Sequence, residues 1–281
     1  ISIRMLDTGG PGGLMGADEQ NTLKPADMPG ETPIALAGKW KFHQGAKRSE
    51  LPAIQTPKTL NPNMATALNN GMIAPIQPLA IRGAIWYQGE SNRGRAAQYV
   101  RLFPAMITDW RTKWGRGDFP FYFVQLAPYR YGGDKGETAL LREAQLKTLK
   151  YPNTGMAVTM DIGNPADIHP ANKQDVGKRL ALWALAKTYG TAEGQFTGPL
   201  YSSMKVEGNR VKLRFDYAAG LAAAKDEVLK GFEVAGEDRK FVPATAVIEN
   251  DAVIVSSDQV SVPKAVRYGW ADVIPCNLVN A

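Results

Sequence analysis

At 281 residues the chain is long enough for a full-size core and for more than one domain. Apolar residues make up 44% and charged residues 21%, the balance of a soluble globular protein. The net charge of +6 comes from Lys and Arg scattered in short groups such as Lys39 and Lys41 or Lys47 and Arg48, with no basic helix or arginine-rich tract, so no nucleic-acid partner is expected.

Cys276 is the single cysteine, which excludes an internal disulfide, and the two histidines, His43 and His169, are too few for a Cys/His zinc site. Neither a metal nor an organic cofactor is expected. No apolar run approaches the roughly 20 residues that span a bilayer, so no membrane association is expected either. The opening Ile1-Ser-Ile-Arg reads as the middle of a strand and lacks an initiator Met, so residue 1 is expected not to be the native start.

Residues 1–43 hold short alternating segments, Ile1–Leu6 and Ile34–Phe42, around the glycine-rich Gly9–Gly16, and read as a piece of an all-β structure. Residues 44–60, with Pro52 and Pro57, read as a linker. Residues 61–190 change character. Ala80–Tyr87 is apolar and β-prone, and Ala96–Trp114 places Tyr99, Leu102, Phe103, Met106, Ile107, Trp110 and Trp114 on one helical stripe. Phe119–Leu126 and Gly155–Met160 read as buried strands, Thr138–Leu149 and Asn172–Thr188 as helices. Strands alternating with helices imply βαβ units and a parallel sheet. Residues 191–281 return to short alternating strands at 204–206, 210–215, 231–234, 246–248, 252–255 and 265–270, a small β-rich region.

Ligands of open parallel sheets bind at the carboxyl ends of the strands. There the first predicted strand runs into Gln88-Gly89-Glu90-Ser91-Asn92, the second carries Gln125, and the third leads into Asp161-Ile-Gly-Asn164-Pro-Ala-Asp167-Ile-His169. One edge thus gathers an imidazole, carboxylates and carboxamides, the parts of an acyl-transfer site. The bland alternatives are a structural loop histidine at 169 and helix capping by Gln88 and Glu90.

Gly83-Ala-Ile-Trp-Tyr-Gln-Gly-Glu-Ser-Asn92 resembles the signature of bacterial sialate O-acetylesterases and related carbohydrate acetylesterases of the SGNH/GDSL hydrolase superfamily. Asn70–Pro75 resembles the segment before that signature, and Asp167-Ile-His-Pro resembles the family's Asp-x-His block. Gly198-Pro-Leu-Tyr, Gly231–Asp238 and Val266–Trp270 resemble its C-terminal β portion, and Leu6–Gly10 with Gly38–Lys41 the tail of a jelly-roll domain inserted in the catalytic fold.

The resemblance implies a three-layer α/β/α, flavodoxin-like catalytic part that is incomplete in this chain and flanked by β-rich segments. Residues 1–43 would end the inserted β domain, 61–190 would form the second half of the catalytic domain, and 191–281 the C-terminal β region. It also implies a serine-type ester hydrolase acting on an acetylated sugar or polysaccharide. His169 would be the base, Asp167 or Glu90 its orienting carboxylate, and Gln88 and the Gly89 amide the oxyanion donors. The family's Gly-x-Ser-Asn-like nucleophile block has no copy here, so a missing N-terminal segment or companion chain is expected to supply the serine. Ser91 is the alternative nucleophile, and a non-catalytic carbohydrate-binding fragment the alternative function. The polar, aromatic loop at 128–138 suits a sugar, with Tyr129, Arg130 and Tyr131, together with Asn164 and Gln125, as candidate substrate contacts. The family implies a periplasmic or secreted bacterial protein.

Overall fold

The computed structural model describes residues 22–23, 32–36, 61–191 and 193–281. The segment Ile1–Leu6, the loop Gly9–Gly16, most of 34–42, His43 and the linker at 44–60 lie outside the described residues. The chain divides into two compact units, Ile1–Met64 and Ala65–Ala281. In the first, β1 (Thr22–Leu23) pairs antiparallel with β2 (Ile34–Ala35).

The second unit opens with helical turns over Asn69–Ile76 and reaches β3 (Ala84–Trp86). A 3-10 turn, Glu90–Arg95, leads directly into α1 (Ala96–Trp114). There follow β4 (Phe121–Val124), α2 (Glu137–Lys147), β5 (Thr154–Ala157) and α3 (Lys173–Trp183). Strands β3, β4 and β5 form a parallel sheet in that order, with Ala84 opposite Phe121 and Val124 opposite Ala157.

Alternation along β4 decides the layers. Phe121 and Phe123 point to one face, where they pack with Tyr99, Phe103 and Ile107 of α1 and Leu141 and Ala144 of α2. Tyr122 and Val124 point to the other, against Val176, Leu180 and Trp183 of α3. The outcome is the expected α/β/α sandwich. On β3, Ala84 and Trp86 join the α1 face, whereas Ile85 faces the α3 side and is 72% exposed, because α3 covers β4 and β5 but not β3.

Helix α1 has the bounds its apolar stripe predicts. It ends where Gly115 adopts a left-handed φ of 62° and its N–H closes on the Arg111 and Thr112 carbonyls. Leu102 departs from the stripe: it is 48% exposed, because the turn-by-turn line 99, 103, 107, 114 faces the sheet and position 102 lies to its side. The third helix is shorter than its pattern suggests, passing at Ala184–Tyr189 into π-helical turns. Asn172 caps α3, accepting from the Asp175 N–H while its own amide donates to the Asp175 carboxylate at 2.8 Å.

The remaining chain is antiparallel: β6 (Leu200–Glu207), β7 (Arg210–Asp216), β8 (Ala222–Ala223), β9 (Phe232–Ala235), β10 (Val242–Pro243), β11 (Thr245–Glu249), β12 (Ala252–Ser256), β13 (Ala265–Tyr268) and β14 (Leu278–Val279). A sheet ordered β11-β12-β7-β6 packs on one ordered β10-β9-β13, and β14 pairs with β8. Val211, Leu213, Val253 and Val255 of the first sheet meet Phe232 and Val234 of the second in one buried cluster. Among the described residues no helix is long and apolar enough to cross a membrane.

Candidate active site

The carboxyl ends of β3, β4 and β5 release three loops on one edge, with β3 and β5 about 10 Å apart across β4. These loops touch one another. The Arg130 N–H donates to the Pro165 carbonyl at 3.0 Å, joining the loop after β4 to the loop after β5. Lys173 at the start of α3 sets its Nζ 4.8 Å from the centre of the Tyr87 ring, joining the loop after β5 to the end of β3. The Arg93 guanidinium lies 4.2 Å over the Tyr131 ring, joining the loop after β3 to the loop after β4.

In the loop after β5, Asn164 and Asp167 form an isolated antiparallel bridge. The Asn164 side chain accepts from the Ala166 N–H at 3.0 Å, and Asp167 Oδ1 accepts from the His169 N–H at 2.8 Å. These tight side-chain turns hold the backbone, and they leave Asn164, Asp167 and His169 exposed. Asp167 therefore grips the main chain of His169, and among the described residues nothing hydrogen-bonds the imidazole.

In the turn after β3, Gln88 is exposed, Gly89 buried and Glu90 half-buried. The Gly89 N–H donates to Glu90 Oε2 at 2.9 Å, immediately ahead of the 3-10 turn. The Gln88 carbonyl is 3.5 Å from the Tyr99 hydroxyl. Burial, reinforced by the Glu90 charge, pushes the phenols of Tyr87, Tyr99 and Tyr131 up, the last two to about 12. Ser91 is exposed, and its carbonyl accepts from Arg95 at 3.0 Å.

Tyr129 and Tyr131 stand edge to face with ring centres 4.8 Å apart, both half-buried, and Arg130 is exposed beside them. Gln125 does not join this group. It is 9% exposed, its side-chain amide donates to the Arg142 carbonyl at 3.2 Å, and its main-chain carbonyl accepts from Thr159 Oγ1, so it braces α2 against β4 and β5.

The sequence reading missed Arg93 and the groups around it. Arg93 Nη1 lies 2.9 Å from Glu137 Oε2 and 3.7 Å from Asp272 Oδ1, close charge pairs without the alignment of a hydrogen bond. Position 93 stands just past the signature, and Asp272 just past Val266–Trp270. Neither residue carries a local signal, since what unites them is tertiary packing.

Residues 58–186 match the family described as carbohydrate esterase, sialic acid-specific acetylesterase. The chain belongs to this family of carbohydrate esterases. Sialate O-acetylesterase of Pongo abelii is 31% identical, the match covering 86% of this chain and 50% of that protein. Sialate O-acetylesterase of Mus musculus is 32% identical over 77% of this chain and 44% of that protein. A crystal structure of a carbohydrate acetylesterase from Xanthomonas citri superposes with a TM-score of 0.72 at 48% identity, over 76% of this chain and 51% of that one. The chain spans about half the length of the esterases it matches. The family match takes in all three loops of the carboxyl edge, including Gln88–Glu90 and Asp167–His169.

Proposed function

We propose that the carboxyl edge is the acid–base half of a serine-type ester hydrolase that removes O-acetyl groups from a sugar or polysaccharide. A serine oxygen bonds to the acetyl carbonyl carbon while His169 takes its proton. The bond from that carbon to the sugar oxygen then breaks, and His169 returns the proton to the departing alkoxide. Water, deprotonated by the same imidazole, hydrolyses the acetyl-serine to acetate. Asp167 or Glu90 holds the imidazole tautomer. The Gln88 amide and the Gly89 N–H meet the oxyanion, a contribution of about 3 kcal/mol per donor, once Glu90 releases the Gly89 N–H. Tyr129, Arg130, Tyr131 and Asn164 face the sugar. No cofactor takes part in this scheme.

The observation that carries the reading is the convergence of the His169 loop and the Gln88–Glu90 turn through Lys173 and Tyr87. The nucleophile in this reading is supplied from outside these 281 residues, by a further segment or a companion chain. In this reading the further strand and helix would pack beside β3, on the face where Ile85 is exposed. Sialate esters head the candidate substrates because relatives carry that name. A periplasmic or secreted setting would give access to such glycans.

The test is acetate release from p-nitrophenyl acetate and from O-acetylated sialic acid by the natural protein. Asp167→Asn and Glu90→Gln are compared in parallel, and the true orienting carboxylate loses about 10²-fold more than the other. Equal, small losses from both would remove the triad from the account. Failure of the wild type to release acetate from either ester would end the esterase reading.

A further inference from the structure

The C-terminal β region reaches the catalytic edge through the short segment after β13. Trp270 packs on Gly136, where an added Cβ would meet the indole Nε1 at 3.3 Å. Asp272, 5% exposed, is bound from several sides. Its Oδ1 accepts from Thr138 Oγ1 at 2.5 Å, in the first turn of α2. Its N–H donates to Asp134 Oδ2 at 2.5 Å, while Asp134 Oδ1 accepts from the Gly136 N–H at 2.7 Å. Its carbonyl accepts from Arg142 Nη2 at 3.0 Å, and the Ala271 carbonyl from Arg142 Nη1 at 2.7 Å. The Arg142 Nε donates to the Leu126 carbonyl at the end of β4.

The loop that bears Tyr129 and Tyr131 is thereby fastened to the β region at its far end. Arg93, emerging from the signature turn, lies on the Tyr131 ring and 3.7 Å from the Asp272 carboxylate. The Tyr131 hydroxyl is buried with no hydrogen-bond partner among the described residues, so hydrogen bonding does not hold that ring; packing under Arg93 does.

We propose that Asp272 is a positioning residue for the sugar-binding mouth. It sets the Tyr129–Asp134 loop and the Arg93 guanidinium, so that the β region tunes affinity for the glycan while the acetyl chemistry stays with the loops after β3 and β5. The inference rests on the esterase reading given above. It makes the β region a structural part of the site rather than a separate glycan-binding appendage. Asp272 itself touches no substrate in this scheme.

The test uses the natural protein and two substrates. Asp272→Asn keeps an oxygen for Thr138 and leaves the backbone contacts in place, while removing the carboxylate charge that faces Arg93 and Arg142. The expected result is a KM for an O-acetylated sugar raised about tenfold, with kcat for p-nitrophenyl acetate within about twofold of wild type. Asp134→Asn, which loosens the same loop from its other anchor, shifts the sugar KM in the same direction by a smaller factor. Melting curves accompany both variants. Equal losses with both esters, tracking a lowered melting temperature, would make Asp272 a stability residue and overturn the proposal. Unchanged kinetics with both esters would also overturn it. A wild type inactive on both esters would instead sink the esterase reading, and the proposal with it.

Discussion

Two loops leave the same sheet edge and are held in opposite ways. The loop after β5 carries His169 and is fixed by short turns of its own, with Asn164, Asp167 and His169 all exposed. The loop after β4 carries Tyr129 and Tyr131 and is fixed by a buried set of polar and charged groups, Arg142, Thr138 and Asp272, drawn from α2 and the β region. In the proposed reading, a proton-transfer group must stay open to substrate and to the attacking hydroxyl, which suits anchoring through its backbone, and a binding wall gains from immobility, which suits buried, paired anchors. The contrast predicts that activity and stability come apart between the two loops.

The largest effect should be on chemistry alone. His169→Ala is expected to lower ester hydrolysis by about 10³-fold, and the melting temperature should stay within about 1 °C of wild type because the side chain is exposed. A large drop in melting temperature would blur the comparison. Arg142→Met should do the reverse. Its guanidinium is buried, with its pKa pushed down to about 10 first by that burial, and it satisfies the carbonyls of Leu126, Ala271 and Asp272. Losing it strands those carbonyls and should cost about 3 kcal/mol in a denaturant titration.

Smaller effects probe where the loops touch. Gly163 lies against the Pro128 ring so closely that a Cβ there would collide with it. Gly163→Ala should therefore push the two loops apart, costing about 2 kcal/mol and raising the sugar KM more than the KM for p-nitrophenyl acetate. The smallest effect concerns Asp161, at the root of the His169 loop. Burial raises its carboxyl, but Arg179, donating at 2.6 Å to each oxygen, outweighs that and holds the pKa below the ordinary value. A depressed folded pKa stabilises above the unfolded value of about 4 and is lost as pH falls through the folded one. The side chains are 31% and 53% exposed, so screening keeps the contribution below about 1 kcal/mol. Asp161→Asn should lower the melting temperature slightly near neutral pH, and the gap from wild type should close in acid.

What the sequence made legible follows from periodicity and from the sheet-edge rule. The stripe Tyr99, Phe103, Ile107, Trp114 placed α1, because a long amphipathic helix repeats its signal several times. The alternation of strands and helices implies the parallel sheet, and the edge rule aligns the Gln88–Glu90 turn with the Asp167–His169 loop from sequence alone. Two-residue strands such as Ala222–Ala223 and Leu278–Val279 were invisible, since each exists only through its partner. Gln125 read as a site residue because a polar side chain at a strand end normally faces solvent; here α2 covers it and Arg142 receives its amide. The Asp272 contacts were beyond reach for the same reason: Thr138 and Asp272 are 134 positions apart, and no local pattern reports such a pairing.

The most direct test of the account is covalent. The natural protein, wild type and His169→Ala, is treated with a fluorophosphonate, which reacts preferentially with a serine activated by a base, and the adduct is located by mass spectrometry. The account predicts an adduct on a serine outside these 281 residues, formed in the wild type and lost in His169→Ala. An adduct on Ser91, or undiminished labelling without His169, would contradict it.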